Sequence, residues 1–302
     1  MKDSILHWRF HALRRLERKL AAPGLYRVLA PFAWWRAFRK TLFKPPDTGI
    51  SVPDCVRPPS TRRSARNRLM VSYLNQYLRL FQDRLSEPKW AGRCAISGIH
   101  HLEEACQTRR GVILAFCHFG PYANLRIWLR AFGTPGAIVV GPNAEKRPRW
   151  QQFLDVRAGD SDHPTIIPLD QLREAAAILS RGIPLLIALD AERGKQMHIP
   201  FQSGWTFRMA TGAMRMAVNH DAALIPCTII NRGPWRHQIE LSAPVPATFL
   251  ETRARWPEAG KYLLDKLMPH VKAHPAQCDR NLLNCFIRLP RETVESDSRL
   301  RA

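Results

Sequence analysis

The chain has 302 residues, with 46 Lys and Arg against 25 Asp and Glu, so its formal net charge is +21; 36 of the basic residues are Arg. An apolar content of 45% and nine Trp exclude a disordered basic tail, which would be poor in both. The length suits one large or two small domains of roughly 150 residues, and the charge of a folded protein must face some anion: nucleic acid, an acidic protein or a lipid surface.

Residues 1–44 carry eleven Lys or Arg and two acids, interleaved with Trp8, Phe10, Leu13, Leu16 and Leu20 and then with a second apolar set from Leu25 to Phe43. Charges recur where a secretory signal would place its apolar core, so the start reads as a structural element. Pro23-Gly24 divides it into two helical pieces. In the second, Leu25, Leu29, Phe32 and Trp35 recur at three- and four-residue spacing, with Arg27, Arg36, Arg39 and Lys40 on the flanks. An aromatic face edged with Arg is what a helix needs to lie among lipid headgroups; the plainer alternative is a helix packed on its own domain with a solvated basic side. Residues 45–67 contain five prolines and read as a linker.

From Leu69 to Leu85 the apolar residues Leu74, Leu78, Phe81 and Leu85 predict an amphipathic helix. Short apolar runs then alternate with helical segments. The runs are Val112–Phe116, Ala137–Val140, Thr165–Ile167, Leu185–Leu189, Ala223–Ile230 and Gln238–Leu241; helices are expected at 102–108, 122–132, 149–157, 169–181 and 209–220. This alternation predicts an α/β fold with a mixed, largely parallel sheet flanked by helices. The expected organisation is a pair of basic aromatic helices over 1–44, a linker over 45–67, the α/β domain over 68–290 and a polar tail over 291–302. No run reaches the ~20 apolar residues of a spanning helix. Seven cysteines without a C-x-x-C pair suit a reducing compartment, and no metal-ligand spacing stands out.

Three segments carry candidate chemistry. In GVILAFCHFGPYAN (111–124) a buried strand delivers His118 to its carboxyl end, beside a turn through Gly120 and a helix start at Pro121. In LLIALDAERG (185–194) a second strand ends at Asp190 and Glu192, two carboxylates able to act with His118 as acid, base or orienting groups, or simply to cap the turn. In HIPFQSGWTFRMATGAMRMA (198–217), Arg208 and Arg215 are able to meet a phosphate, as are Lys146, Arg147, Arg149 and Arg157 in the earlier stretch 141–157.

The order of these segments resembles the bacterial lipid A biosynthesis acyltransferase family, late lauroyl- and myristoyl-type transferases within the lysophospholipid acyltransferase superfamily. The resemblance spans roughly residues 20–245 and rests on Gly98-Ile99-His100-His101, His118-Phe119-Gly120, Asp190-Ala191-Glu192 and Pro200-Phe201-Gln202-Ser203-Gly204, in the family's order. It implies a glycerolipid acyltransferase-like fold and transfer of a fatty acyl chain from an acyl-carrier protein or coenzyme A thioester to a hydroxyl or amine of a membrane lipid or lipid-linked acceptor. No cofactor or metal is implied. The expected setting is a monomer, peripheral on the cytoplasmic face of the inner membrane, with the lipid surface and acyl-carrier protein as partners and nucleic acid as none.

Carried over to this chain, the resemblance implies His118 as general base and Glu192, with Asp190 behind it, as the orienting carboxylate. The N–H groups of Gly120 and Tyr122 are expected at the oxyanion, and Asn124, Arg157, Lys195 and Arg208 on the substrate. One position departs. The family pattern His-x4-Asp/Glu puts a carboxylate five residues after the His, where this chain has Ala123 followed by Asn124. Loss of such an orienting group costs on the order of 10^4 in rate in well-studied triads. Either Glu192 or Asp190 replaces it, or Asn124 orients the ring, or the protein keeps a lipid- or acyl-binding shell without turnover.

Overall fold

A computed structural model describes residues 2–43, 50–108, 111–134, 136–141, 166–169, 171–202 and 204–289. Its centre is a seven-stranded sheet in the order β1-β9-β8-β2-β5-β3-β4. The central strand β2 (Val112–Phe116) is buried along its whole length, as an unbroken run of Val, Ile, Leu, Ala and Phe must be when both faces are covered. It pairs in parallel with β5 (Leu185–Ala188) and β8 (Ala223–Gly233). The short strands β3 (Ala137–Val140) and β4 (Ile166–Pro168) extend the parallel half. On the other side β8 turns back antiparallel into β9 (Arg236–Leu241), which pairs in parallel with β1 (Cys94–Ser97). The sheet is therefore mixed and largely parallel, as the sequence predicts.

A second sheet is less visible in the sequence. Strands β6 (Gln196–Gln202), β7 (Trp205–Ala210) and β10 (Phe286–Arg288) form an antiparallel set in the order β10-β7-β6. Met209 and Ala210, expected in a helix, belong to β7; the helix that follows starts at Gly212.

Two apolar layers sandwich the main sheet. One holds Ile113, Ala115, Leu185 and Leu224 with helices at Leu172–Ser180, Gly212–Asn219 and Trp256–Ala273. The other joins Val112, Leu114 and Phe116 to α2 (Ala22–Phe43), α3 (Arg62–Leu78), α4 (Ile99–Gln107) and α5 (Leu125–Ala131).

The N-terminal helices belong to this second layer. Helix α1 (Lys2–Lys19) ends before Pro23, which falls in the first turn of α2, where a missing N–H is tolerated. Glu17 is fully buried, its carboxylate bonded to Arg84 at 2.8 Å and to Lys89. Arg14 pairs with Asp83. These contacts hold α1 to the turns that follow α3.

In α2 the buried seam is Leu25, Leu29, Ala33, Ala37 and Thr41, a four-residue rhythm packed on α3. The sequence stripe Leu25, Leu29, Phe32, Trp35 is thus split: its aromatic half points outward, with Phe32 64% and Trp35 56% exposed. Small residues on the seam let the two helices approach closely, which leaves no room there for the rings. Within the stretch read as a linker, Val52 and Val56 enter the core and α3 already begins at Arg62, capped by Thr61. No described helix is long and apolar enough to cross a membrane.

Candidate active site

The parallel register of β2 and β5 sets Phe116 opposite Ala188. Continuing two residues beyond each strand end places His118 beside Asp190. The contact is made twice. Asp190 Oδ2 accepts the main-chain N–H of His118 at 2.9 Å, and Oδ1 lies 2.8 Å from His118 Nδ1. Because an ionised carboxylate only accepts, Nδ1 carries the proton and Nε2 keeps a lone pair. Among the described residues Nε2 has no hydrogen-bond partner, and the His118 side chain is 19% exposed while that of Asp190 is fully buried. Burial by itself lowers the imidazole pKa, but the hydrogen bond and charge of Asp190, with Asp279 adding its charge, outweigh it and hold His118 above the ordinary 6.5.

The turn after His118 is fixed from two sides. Gly120 has φ +59°, and a Cβ there would sit 2.0 Å from the Ile229 carbonyl oxygen, so no other residue fits. Its N–H donates to the Gln277 carbonyl at 2.9 Å, while the His118 carbonyl accepts from Asp279 N–H at 2.9 Å. Phe119 and Cys278 form an isolated antiparallel bridge. The loop 275–279 therefore closes one side of the site. On another, the Tyr122 ring meets His118 edge-on, with centroids 4.5 Å apart.

This geometry corrects several expectations. Asp190, and not Glu192, contacts the His118 ring: Glu192 is exposed on the turn beyond, where its carbonyl accepts from Gln196. The Gly120 N–H is already bonded to the Gln277 carbonyl, which takes it from an oxyanion, while the Tyr122 ring lies against His118. Asn124 does not touch the imidazole; it is buried and its Nδ2 donates to the Asn75 carbonyl at 3.1 Å, tying the turn to α3. The helix expected from Tyr122 starts as a 3-10 turn over Tyr122–Asn124 and becomes α5 at Leu125. Cys117, next to His118, is buried, its thiol pushed well up by burial and by the Asp190 charge.

Of the residues expected on the substrate, Arg157 lies outside the described residues, along with Lys146, Arg147 and Arg149. Lys195 is exposed at the turn into β6, its carbonyl bonded to Thr211. Arg208 on β7 is half-buried next to Cys285, and its Nε has no hydrogen-bond partner. Arg68 is a further cation near the site that no motif marks. It stands on α3 within electrostatic range of Cys278, donating from Nη1 to the Pro59 carbonyl at 2.8 Å. Only its place in an Arg-rich run marks it in the sequence, and that run borders the Pro-rich stretch read as a linker.

No curated protein sequence matches the chain. Among solved structures it is similar to the 1-acyl-sn-glycerophosphate (LPA) acyltransferase PlsC from Thermotoga maritima, at 16% identity and a TM-score of 0.41, over 89% of this chain and 99% of that one. The sequence pattern of the family described as bacterial lipid A biosynthesis acyltransferase matches residues 66–278, which include β2, His118, Asp190 and the loop up to Cys278. The chain belongs to the bacterial lipid A biosynthesis acyltransferase family and is an acyltransferase.

Proposed function

We propose that the protein moves a fatty acyl chain from an acyl-carrier protein or coenzyme A thioester to a hydroxyl or amine of a membrane lipid or lipid-linked acceptor. The observation that carries this reading is the His118–Asp190 pair with Nε2 unpartnered at the mouth of the site. Nε2 takes the acceptor proton as its oxygen or nitrogen bonds to the thioester carbonyl carbon. The tetrahedral intermediate then collapses, the C–S bond breaks, and the thiolate recovers the proton from the imidazolium. Asp190 keeps the ring in the productive tautomer and stabilises the imidazolium. A lipid- or acyl-binding relative without turnover is the second reading, favoured by Ala123; the Asp190 contact weakens it by supplying the carboxylate from another strand.

Lauroyl- and palmitoyl-carrier protein labelled in the acyl chain, supplied with membrane lipids, test the assignment. His118→Ala is expected to lower turnover on the order of 10^3-fold or more. Equal activity of variant and wild type removes His118 as base.

The setting we propose is peripheral, on the cytoplasmic face of the inner membrane. The outward face of α2 presents Phe32, Trp35 and Phe43, the last 77% exposed, with Arg36, Arg39 and Lys40 on the same helix. Arg66 of α3 stacks over Phe38 at 4.7 Å and stands 5.7 Å from the Trp34 ring. Aromatic rings in the headgroup layer and cations against anionic lipid suit this surface. Acyl-carrier protein, being acidic, suits the remaining positive charge. The Phe32→Ala, Trp35→Ala double variant is expected to sediment with phosphatidylglycerol vesicles roughly tenfold more weakly; unchanged sedimentation refutes the docking face.

A further inference from the structure

Among the described residues, Arg68 near the site has no counter-charge. Arg68 and Asn75 are seven residues apart on α3, two helical turns, and so share one side of the helix. That side faces the turn after His118: the Asn75 carbonyl accepts from Asn124, and Asn75 Oδ1 bonds to His237 Nε2. Two turns nearer the N-terminus, Arg68 lies within electrostatic range of Cys278, on the helix that packs on the 275–277 turn; Cys278 is bridged to Phe119 and precedes Asp279, the donor to the His118 carbonyl. The guanidinium is thus held by the Pro59 carbonyl on the helix that packs on the segment walling His118.

Of its five donors, one serves the Pro59 carbonyl at 2.8 Å, and among the described residues no carboxylate pairs with it. Its electrostatic counterpart is the Cys278 thiol, which burial pushes up to about 12, so that this group is neutral at physiological pH. A half-buried cation with spare donors and no anion is unfavourable unless something else brings the anion. The Glu17 cluster shows the contrast, since there Arg84 and Lys89 both close on a buried carboxylate.

We infer that Arg68 binds a phosphate group of one of the two substrates beside His118. A planar guanidinium with several free N–H groups matches phosphate oxygens two at a time. The inference rests on the acyl-transfer reading for the carrier of that phosphate, which is either the phosphopantetheine arm of the donor or a phosphorylated headgroup of the acceptor. Anion binding by Arg68 is independent of turnover.

Titration with inorganic pyrophosphate at constant ionic strength, followed by thermal shift and calorimetry, tests the binding directly. Wild type is expected to show a saturable shift, and Arg68→Gln to weaken it about ten- to a hundredfold. Arg68→Lys retains part of it and controls for folding. Arg63→Gln, which removes one charge from the exposed first turn of α3, is expected to titrate like wild type. An absent wild-type response, an Arg68→Gln variant that binds as well as wild type, or an equal loss in Arg63→Gln overturns the proposal. In the acyl-transfer assay Arg68→Gln is expected to raise the KM of one substrate about tenfold with kcat within about threefold. A shift in donor KM assigns the phosphopantetheine arm and a shift in acceptor KM assigns the headgroup; a fall in kcat with both KM values unchanged overturns the assignment. Saturable pyrophosphate binding without any acyl transfer by wild type would reject the proposed reaction and leave the anion site standing.

Discussion

His118 and His237 are two imidazoles held by hydrogen bonds along the same edge of the main sheet, and their surroundings drive them in opposite directions. His118, just past β2, is bonded through Nδ1 to the Asp190 carboxylate, and among the described residues its Nε2 has no hydrogen-bond partner. His237, in β9, is 3% exposed and lies between two neutral groups: Trp128 Nε1–H donates to its Nδ1 at 2.6 Å, and its Nε2–H donates to Asn75 Oδ1 at 3.1 Å. Burial raises the cost of the charged ring in both places. Only His118 has a negative charge to offset it, so its pKa rises, whereas that of His237 is pushed down to about 3. Partner charge, more than burial, separates the base from the structural strut.

The largest effect expected from this difference follows from making the first site resemble the second. Asp190→Asn replaces the anion with a neutral amide that can donate to Nδ1 and so turn the proton toward Nε2. The wrong tautomer leaves no lone pair at the acceptor, and kcat is expected to fall on the order of 10^4-fold. The pH profile sharpens the test. The base form of His118 is the active one, so the wild-type rate rises with pH through a midpoint above 6.5. Without the Asp190 charge that midpoint moves to lower pH. A residual rate with an unmoved midpoint shows that another carboxylate holds the ring; Glu192→Gln in the same background identifies it if it is Glu192.

Much of this was legible in the sequence because parallel strands buried on both faces read as unbroken apolar runs. Val112–Phe116 was expected and found with the same bounds, and His118 followed from it as the residue just beyond a strand end. The choice of Asp190 over Glu192 was not legible. It depends on the β2–β5 register, which a single strand does not encode. The loop 275–279 reaches His118 from more than 150 residues away in the chain, and nothing local to PAQCD announces that contact. Helix α2 misled for a different reason. Its large residues drew the apolar stripe toward Phe32 and Trp35, whereas close packing on α3 selected Ala33 and Ala37. The strands of the second sheet alternate too weakly to stand out, with Gln196 and Gln202 at the ends of β6 and a charge at Arg208 in β7.

The smaller effect lies at the second histidine and is one of stability. In the unfolded chain His237 titrates near 6.5, but in the fold it resists a proton down to about 3, because burial penalises the charged ring; Nδ1 moreover already accepts from Trp128. As pH falls below about 6.5 the unfolded state binds a proton that the native state refuses, so stability declines by about 1.4 kcal/mol per pH unit from this residue alone. His118 has the opposite sign: its raised pKa adds stability that is fully present below 6.5 and lost as pH rises through the native value. Urea melts of wild type and His237→Gln between pH 7.5 and pH 4.5 separate the two, since Gln can accept from Trp128 and donate to Asn75 without titrating. The variant is expected to be less stable by about 1–3 kcal/mol at neutral pH, where its geometry is poorer, and to lose less on acidification, so the gap closes as pH falls. Parallel pH slopes for the two proteins show that His237 is protonated in the native state, and the contrast with His118 then rests on position alone.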